Sequence, residues 1–351
     1  MSRLTKKSAL GATGLEVPPI VFGTSCLGNL YQALPYETKL EIVRQMFQHV
    51  DAPVVLDSAG KYGAGLALEI IGRCLRELEV TPQQAVISNK LAWVRTPLTA
   101  PEPTFEPGVW ADLQHDAQQR LGYDGIMQCY EDGCRLLGEP YRPQLVSVHD
   151  PDEYLAAAVD EADRRRRWND VLESYRALGE LRDRGEVAGV GVGAKDWQVI
   201  RRLTDEVKLD WVMFACSLTV MQHPPELLSL IYILEATGVG VINSAVFHAG
   251  FLTGGKFFDY RPVDAADPAD RPLFEWREQF YQLCAQHDVP PAAACVQFGL
   301  SVPGVSSVAL NTGRPERIAQ NVDLVQTDIP PAFWLAMRDA ALIDREFPYV
   351  G

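Results

Sequence analysis

The sequence predicts one α/β domain: a closed (β/α)8 barrel of the TIM type, with a small N-terminal β-hairpin and long loops on its C-terminal face. Three observations predict it. Short β-branched apolar runs alternate with longer amphipathic stretches, the pattern of βαβ units around a parallel sheet. Eight such runs occur, and that number favours a closed barrel over an open sheet. The length of 351 residues is ordinary for such a barrel, and no low-complexity linker interrupts it, so residues 1–351 are read as a single domain.

Taken in order, residues 1–16 precede the first strand, and Gly11-Ala12-Thr13-Gly14 reads as a hairpin turn. The candidate strands are 20–23, 54–57, 85–88, 145–149, 188–193, 211–214, 239–243 and 305–310. They are apolar on both faces, as parallel strands buried under helices are. Ile42, Val43, Met46, Phe47 and Val50 recur at helical spacing after Glu37, and Leu66, Ile70, Cys74, Leu75 and Leu78 do so after Gly65. Trp168, Val171, Leu172, Tyr175, Leu178 and Leu181 form a third stripe, which Gly185 is placed to cap. Leu227, Leu230, Ile231 and Leu234 form a fourth. Two connections exceed the repeat: 91–122, with four prolines and Trp93 and Trp110, and 251–273, with Gly254-Gly255 and three prolines. Both follow strand ends, so both are expected at the C-terminal face, where barrel active sites sit.

Composition excludes several classes. With 47% hydrophobic and 22% charged residues the chain is core-forming, not disordered. A net charge of −14 argues against nucleic acid or an anionic membrane as partner. No apolar run approaches the roughly 20 residues that span a bilayer, and the basic start leads into Gly and Pro with no apolar segment, so no signal peptide is expected. Seven cysteines form no CxxC pair, which suggests a reducing, cytoplasmic setting. The six histidines show no clustering in the sequence, so no metal is expected. Arg164 to Arg167 reads as a solvated helix start. Oligomeric state is not legible.

Four polar residues end or closely follow successive candidate strands: Asp57, Tyr62, Lys90 and His149. In a barrel those strand ends converge. A Lys ammonium beside a phenol favours the phenolate and lowers its pKa from ~10. The Tyr then exchanges a proton with an alcohol or carbonyl oxygen; an Asp pairs the Lys and a His orients the substrate oxygen. Each residue alone has a plain reading as a cap, a solvated charge or a turn, but four at successive strand ends point to one site.

The segments Leu56 to Gly63, Ser88-Asn89-Lys90 and Val148-His149-Asp150 resemble the aldo-keto reductase family. So do Leu10 to Leu15, Phe22-Gly23-Thr24, Arg135 to Gly138, Gly250 to Gly254 and Arg314 to Asn321, and the resemblance spans nearly the whole chain. It implies a catalytic tetrad of Asp57, Tyr62, Lys90 and His149. It also implies a nicotinamide cofactor lying extended across the barrel mouth without a Rossmann domain. The cofactor residues it implies are Gly23, Thr24, Gly193, Asn243, Ser244, Ala245, Val246, Gly250, Leu252, Asn311, Thr312, Arg317, Gln320 and Asn321. Gly189 to Gly193 lacks the GxGxxG spacing and reads as a strand with small residues under the nicotinamide.

The chain departs from the family pattern at three places. Gly193-Ala194 stands where many members carry Ser-Asn, Asn243 where many carry an aromatic that stacks on the nicotinamide, and Asn311-Thr312 where NADP-dependent members carry Lys-Ser. The missing Lys favours NAD, with NADP still possible. The loops resemble those of the sugar dehydrogenases of the family, the L-fucose and L-galactose (D-threo-aldose) 1-dehydrogenases, with pyridoxal 4-dehydrogenase a close relation. That implies oxidation of an aldose hemiacetal to a lactone, with Trp93 and Trp110 as sugar-stacking walls, although a buried Trp is as often plain core. The alternatives are an NADPH-dependent aldehyde or ketone reductase, a pyridoxal dehydrogenase and, against the intact tetrad, a non-catalytic cofactor-binding subunit.

Overall fold

Eight parallel strands close on themselves in this computed structural model, which describes residues 3–350. They are β1 (Ile20–Gly23), β2 (Val54–Ala59), β3 (Ala85–Leu91), β4 (Leu145–His149), β5 (Gly189–Ala194), β6 (Trp211–Ala215), β7 (Gly240–Ser244) and β8 (Val305–Leu310), and β8 pairs with β1. Each expected strand forms, its ends shifted by three residues or fewer. The expected helices form at Tyr36–His49, Leu66–Glu77, Glu161–Asp183 and Pro225–Ala236. In the third, the Asp160 carboxylate caps the start by accepting from Asp163 N–H at 2.7 Å, and Gly185 follows the end at φ +72°. Arg166 and Arg167 pair with Asp163 on the same helix.

Side chains alternate between the barrel interior and the helices. Val21, Val55, Val86, Leu145, Trp211, Met213 and Ile242 fill the interior together with Leu10 and Val17 of the hairpin. The hairpin itself, Ser8–Ala9 paired antiparallel with Glu16–Val17, seals the N-terminal end. Its turn residue Gly11 has φ +52°, and a Cβ there would sit 2.3 Å from Gly240 N, so only glycine allows this contact. β5 turns three glycines inward, and a Cβ on Gly191 would lie 2.4 Å from Trp211 Cε2. One indole therefore occupies the space that β5 leaves.

The two long connections carry structure of their own. Residues 91–122 contain an antiparallel ribbon, Trp93–Pro97 with His115–Gln119. Residues 251–273 contain the short pairing Phe257–Phe258 with Arg261–Pro262. Phe257 stacks on Tyr31 at 5.5 Å, so this second loop reaches the loop that follows β1. All seven cysteines are free thiols. Among the described residues no helix is long and apolar enough to cross a membrane.

Candidate active site

Register brings the four expected residues together. Gly23 pairs with Asp57, Ala59 with Lys90, Lys90 with Ser147 and His149 with Gly193, so the ends of β2, β3 and β4 lie side by side. Asp57, Lys90 and His149 are 3%, 4% and 5% exposed. The Lys90 ammonium donates to Asp57 Oδ2, and Ser88 Oγ donates to Asp57 Oδ1 at 3.0 Å. Lys90 Nζ lies 4.8 Å from the centre of the Tyr62 ring, and the His149 ring meets Tyr62 edge-on at 5.7 Å. Tyr62 is held by backbone contact: a Cβ on Gly28 would sit 2.7 Å from its carbonyl, and a Cβ on Gly63, at φ +61°, would sit 2.2 Å from Gly28 O.

Electrostatics sharpen one expectation and correct another. Burial pulls the Lys90 ammonium down, but Asp57 and Tyr62 more than reverse this, so it stays charged. Burial, then the charges of Lys90, Lys61 and Lys195, holds His149 well below its usual range, as a neutral imidazole. Lys90 was expected to bring the Tyr62 phenol below its ordinary value. Instead burial lifts it above that value and Lys90 only moderates the rise, because removing a phenolate from water costs more than one ammonium, itself paired to Asp57, returns.

A second polar layer rims the tetrad, and sequence reasoning missed it. Lys61, 6% exposed, reaches Glu106 at 2.6 Å, Glu153 at 3.5 Å and Asp150 at 3.9 Å. Lys195 donates to Glu153 at 2.5 Å. Glu106 also accepts from Trp110 Nε1 at 2.7 Å, so one carboxylate of the 91–122 loop fixes both Lys61 and the indole. Trp110 lies 5.9 Å from the Tyr62 ring, and the Trp93 ring lies 5.5 Å from Lys61 Nζ, which puts both tryptophans at the mouth. A strand-adjacent Lys in the Tyr62 motif and the acidic run after His149 were the available signals.

The cofactor candidates divide. Gly193 faces inward, where a Cβ would come within 3.2 Å of Lys90 Cδ, so its bareness leaves room beside the tetrad. Gly23 likewise lies under Asn311, whose Cβ is 3.2 Å from the position of an added Cβ. Ser244 is half-buried and donates to Phe214 O at 3.0 Å. Ala245 and Gly250 are half-buried with φ of +53° and +90°. Asn311, Arg317 and Gln320 are exposed, Thr312 and Asn321 half-buried, along one lip of the mouth. These bare and backbone-rich positions fit an extended dinucleotide. Four expectations change. Asn243 points out of the barrel, donating to Leu218 O and Gly299 O, because Ile242 and Ser244 take the inward positions of β7. Val246 and Leu252 are fully buried, backbone included, and pack in the core rather than on the mouth. Thr24 is buried with its hydroxyl donating to Asp57 O, a brace for the tetrad strand.

Histidine clustering also differs from the expectation: Cys216, His248 and Asp259 place ligand-type atoms within 4.8 Å of one another. Thr219 Oγ1 accepts from the N–H groups of Met221 and Gln222, so its own proton goes to His248 Nε2. Nδ1–H then donates to Asp259 at 2.7 Å, and the imidazole has no lone pair to spare. The group latches the 251–273 loop to the barrel. A cavity of about 610 Å3 lies next to this group, between Lys195, Cys216, Gln222 and Asp259, and none of the tetrad lines it.

Comparison with known proteins agrees with this geometry. Residues 19–341 match the model of the Aldo/keto reductase family. The chain is 31% identical to pyridoxal 4-dehydrogenase of Microbacterium luteolum, over 97% of this chain and 99% of that protein. It is 26% identical to D-threo-aldose 1-dehydrogenase of a Pseudomonas species, over 95% and 97%. Among solved structures, the glycerol dehydrogenase of Gluconobacter oxydans shares the fold with a TM-score of 0.66 at 16% identity, covering 98% of this chain and 99% of that one. A barrel with these four residues at adjacent strand ends, matched over nearly its full length, belongs to the aldo/keto reductase family and is a nicotinamide-dependent oxidoreductase.

Proposed function

We propose that the protein oxidises the anomeric hydroxyl of an aldose, as its cyclic hemiacetal, to the lactone, with NAD preferred over NADP. The observation that carries this reading is the polar layer of Lys61, Glu106 and Asp150 beside two tryptophans, immediately above the tetrad. A polyhydroxylated ring offers hydroxyls to the charges and an apolar face to an indole. Tyr62 as phenolate, its charge held by the Lys90 ammonium, takes the hydroxyl proton and becomes the neutral phenol as hydride leaves the anomeric carbon. His149, neutral, donates Nε2–H to the reacting oxygen and orients it. The bare Gly193 leaves room beside the tetrad for a nicotinamide, which would supply the hydride acceptor. Because burial raises the phenol, oxidation speeds up as pH rises toward the alkaline side. Asn311, exposed and donating to Ser25 Oγ at 2.8 Å, is a neutral group at the lip, which supports NAD. The localisation we infer is cytoplasmic, from the free thiols.

One observation favours a second substrate. The 31% identical relative is a pyridoxal 4-dehydrogenase, and the Tyr62 and Trp93 rings offer an aromatic substrate the same apolar surface. Absorbance at the reduced-nicotinamide band, with NAD and NADP in turn, against L-fucose, L-galactose and pyridoxal, separates the readings. The same assay run backwards on simple aldehydes with NADPH tests the reductase alternative. Fast NADPH-dependent reduction with no sugar oxidation would overturn the proposal.

A further inference from the structure

Asp150 stands at the start of the helix Pro151–Ala156, where an Asp ordinarily accepts from a backbone N–H of the first turn. It makes no such bond. Its carboxylate turns instead to the active site, with Oδ2 3.3 Å from His149 Nε2 and 3.9 Å from Lys61 Nζ. The backbone secures this pose: φ is +47°, and the Asp150 N–H donates to Gly193 O at 2.9 Å. A left-handed Asp costs conformational energy, which an exposed turn alone would not require. Its side chain is 19% exposed, open enough for a substrate to touch.

We propose that Asp150 determines specificity by accepting a hydrogen bond from a hydroxyl on the carbon next to the reacting one. This rests on the aldose reading above. His149 Nε2 marks where the reacting oxygen sits. An acceptor 3.3 Å from that nitrogen lies within hydrogen-bond reach of the hydroxyl on the neighbouring carbon of a vicinal diol. Glu106 and Glu153 are each in closer contact with a lysine than Asp150 is, at 2.6 Å to Lys61 and 2.5 Å to Lys195, which leaves Asp150 the carboxylate free to accept a hydrogen bond from the substrate. The other charges that face it are Lys61, Lys195 and Asp152. Burial, then the charge of Glu153, raises its carboxyl to about 7, so it accepts best at neutral pH and above.

The test compares kcat/KM for L-fucose and 2-deoxy-L-fucose in the full-length protein and in Asp150→Ala and Asp150→Asn. The wild type should favour the 2-hydroxy sugar by about ten- to a hundred-fold, the worth of a hydrogen bond to a charged group. Asp150→Ala should lose that factor on L-fucose alone and so abolish the discrimination, and Asp150→Asn, which keeps an acceptor oxygen, should retain part of it. Discrimination undiminished in Asp150→Ala would overturn the assignment. If no aldose is oxidised, the function reading falls, and the same comparison is made in the reducing direction on glycolaldehyde against acetaldehyde. There a preference for glycolaldehyde that disappears in Asp150→Ala supports the assignment, and one that persists, or its absence in the wild type, overturns it.

Discussion

The two halves of the barrel mouth are built by opposite means. β2, β3 and β4 present charged and polar side chains, buried and paired to one another: Asp57 with Lys90 and Ser88, His149 beside Asp150. β5 and the segments after β7 and β8 present bareness and backbone: Gly193, the left-handed residues Ala245, His248 and Ala249, and the exposed lip from Asn311 onward. Moving a proton requires particular atoms at particular distances, so the first half tolerates little change. Holding an extended dinucleotide requires room and main-chain groups, which many sequences provide.

Several substitutions break or sharpen that contrast. The largest effect is expected from Tyr62→Phe, which removes the proton-transferring hydroxyl and almost no volume. Turnover should fall by about 10²–10⁴-fold while the cofactor Kd holds steady, and near-native turnover would move the acid–base role elsewhere. Lys90→Met comes next. Lys90 is what moderates the rise of the Tyr62 phenol, so the pH profile for oxidation should shift upward. The change also strands Asp57, at a cost of about 3–5 kcal/mol. Adding Asp57→Asn should restore melting temperature but not the pH profile, and a profile unmoved in both proteins would make Lys90 structural only.

On the other half, Asn311→Lys should tighten NADP binding about tenfold, through one added charge-assisted contact to the 2′-phosphate. Dissociation constants measured at fixed salt check this; unchanged NADP affinity would mean that the 2′-position lies away from Asn311. The smallest effect is thermal. The Asp150 carboxyl, at about 7 against ~3.9 when unfolded, holds its proton more tightly in the folded protein. The stability it confers is complete below pH ~4 and is lost as pH climbs to about 7. Asp150→Asn should therefore raise the melting temperature at pH 8 by about 1–3 °C, with the gain fading toward pH 4. Glu153, lowered by Lys61 and Lys195 against its burial, runs the other way but is present in both proteins. A gain independent of pH would mean that the carboxyl does not titrate in this window.

The eight strands were legible because each is an apolar run between turn residues, and burial on both faces leaves no other place for it. The tetrad was legible because adjacent strand ends must meet. Asn243 was misplaced because a strand alternates every residue: a shift of one sends a side chain from the mouth to the helices, and here Gly299 on Pro291–Ser301 gives Asn243 its pocket. The Lys61–Glu106–Trp110 connection was illegible for another reason. Its members lie 45 and 4 residues apart and meet only because the Trp93–Pro97 ribbon folds the loop back over the mouth, a tertiary event with no local pattern. The Tyr62 phenol was read from its neighbour alone, since burial cannot be seen in a sequence.

The inward glycines of β5 and the Trp211 ring form a single unit of volume shared between two strands. The glycine cannot change while the indole is there, but the indole can. A side chain at Gly191 has nowhere to go, and Trp211→Ala would empty the lower barrel behind an intact hairpin seal. Such a chamber, walled by Val21, Val55, Leu145 and Ile242, would stay dry and accept a small apolar guest such as xenon or benzene. The end of the barrel farthest from the chemistry is thus a place where a second binding cavity can be opened by one substitution, leaving the catalytic rim untouched.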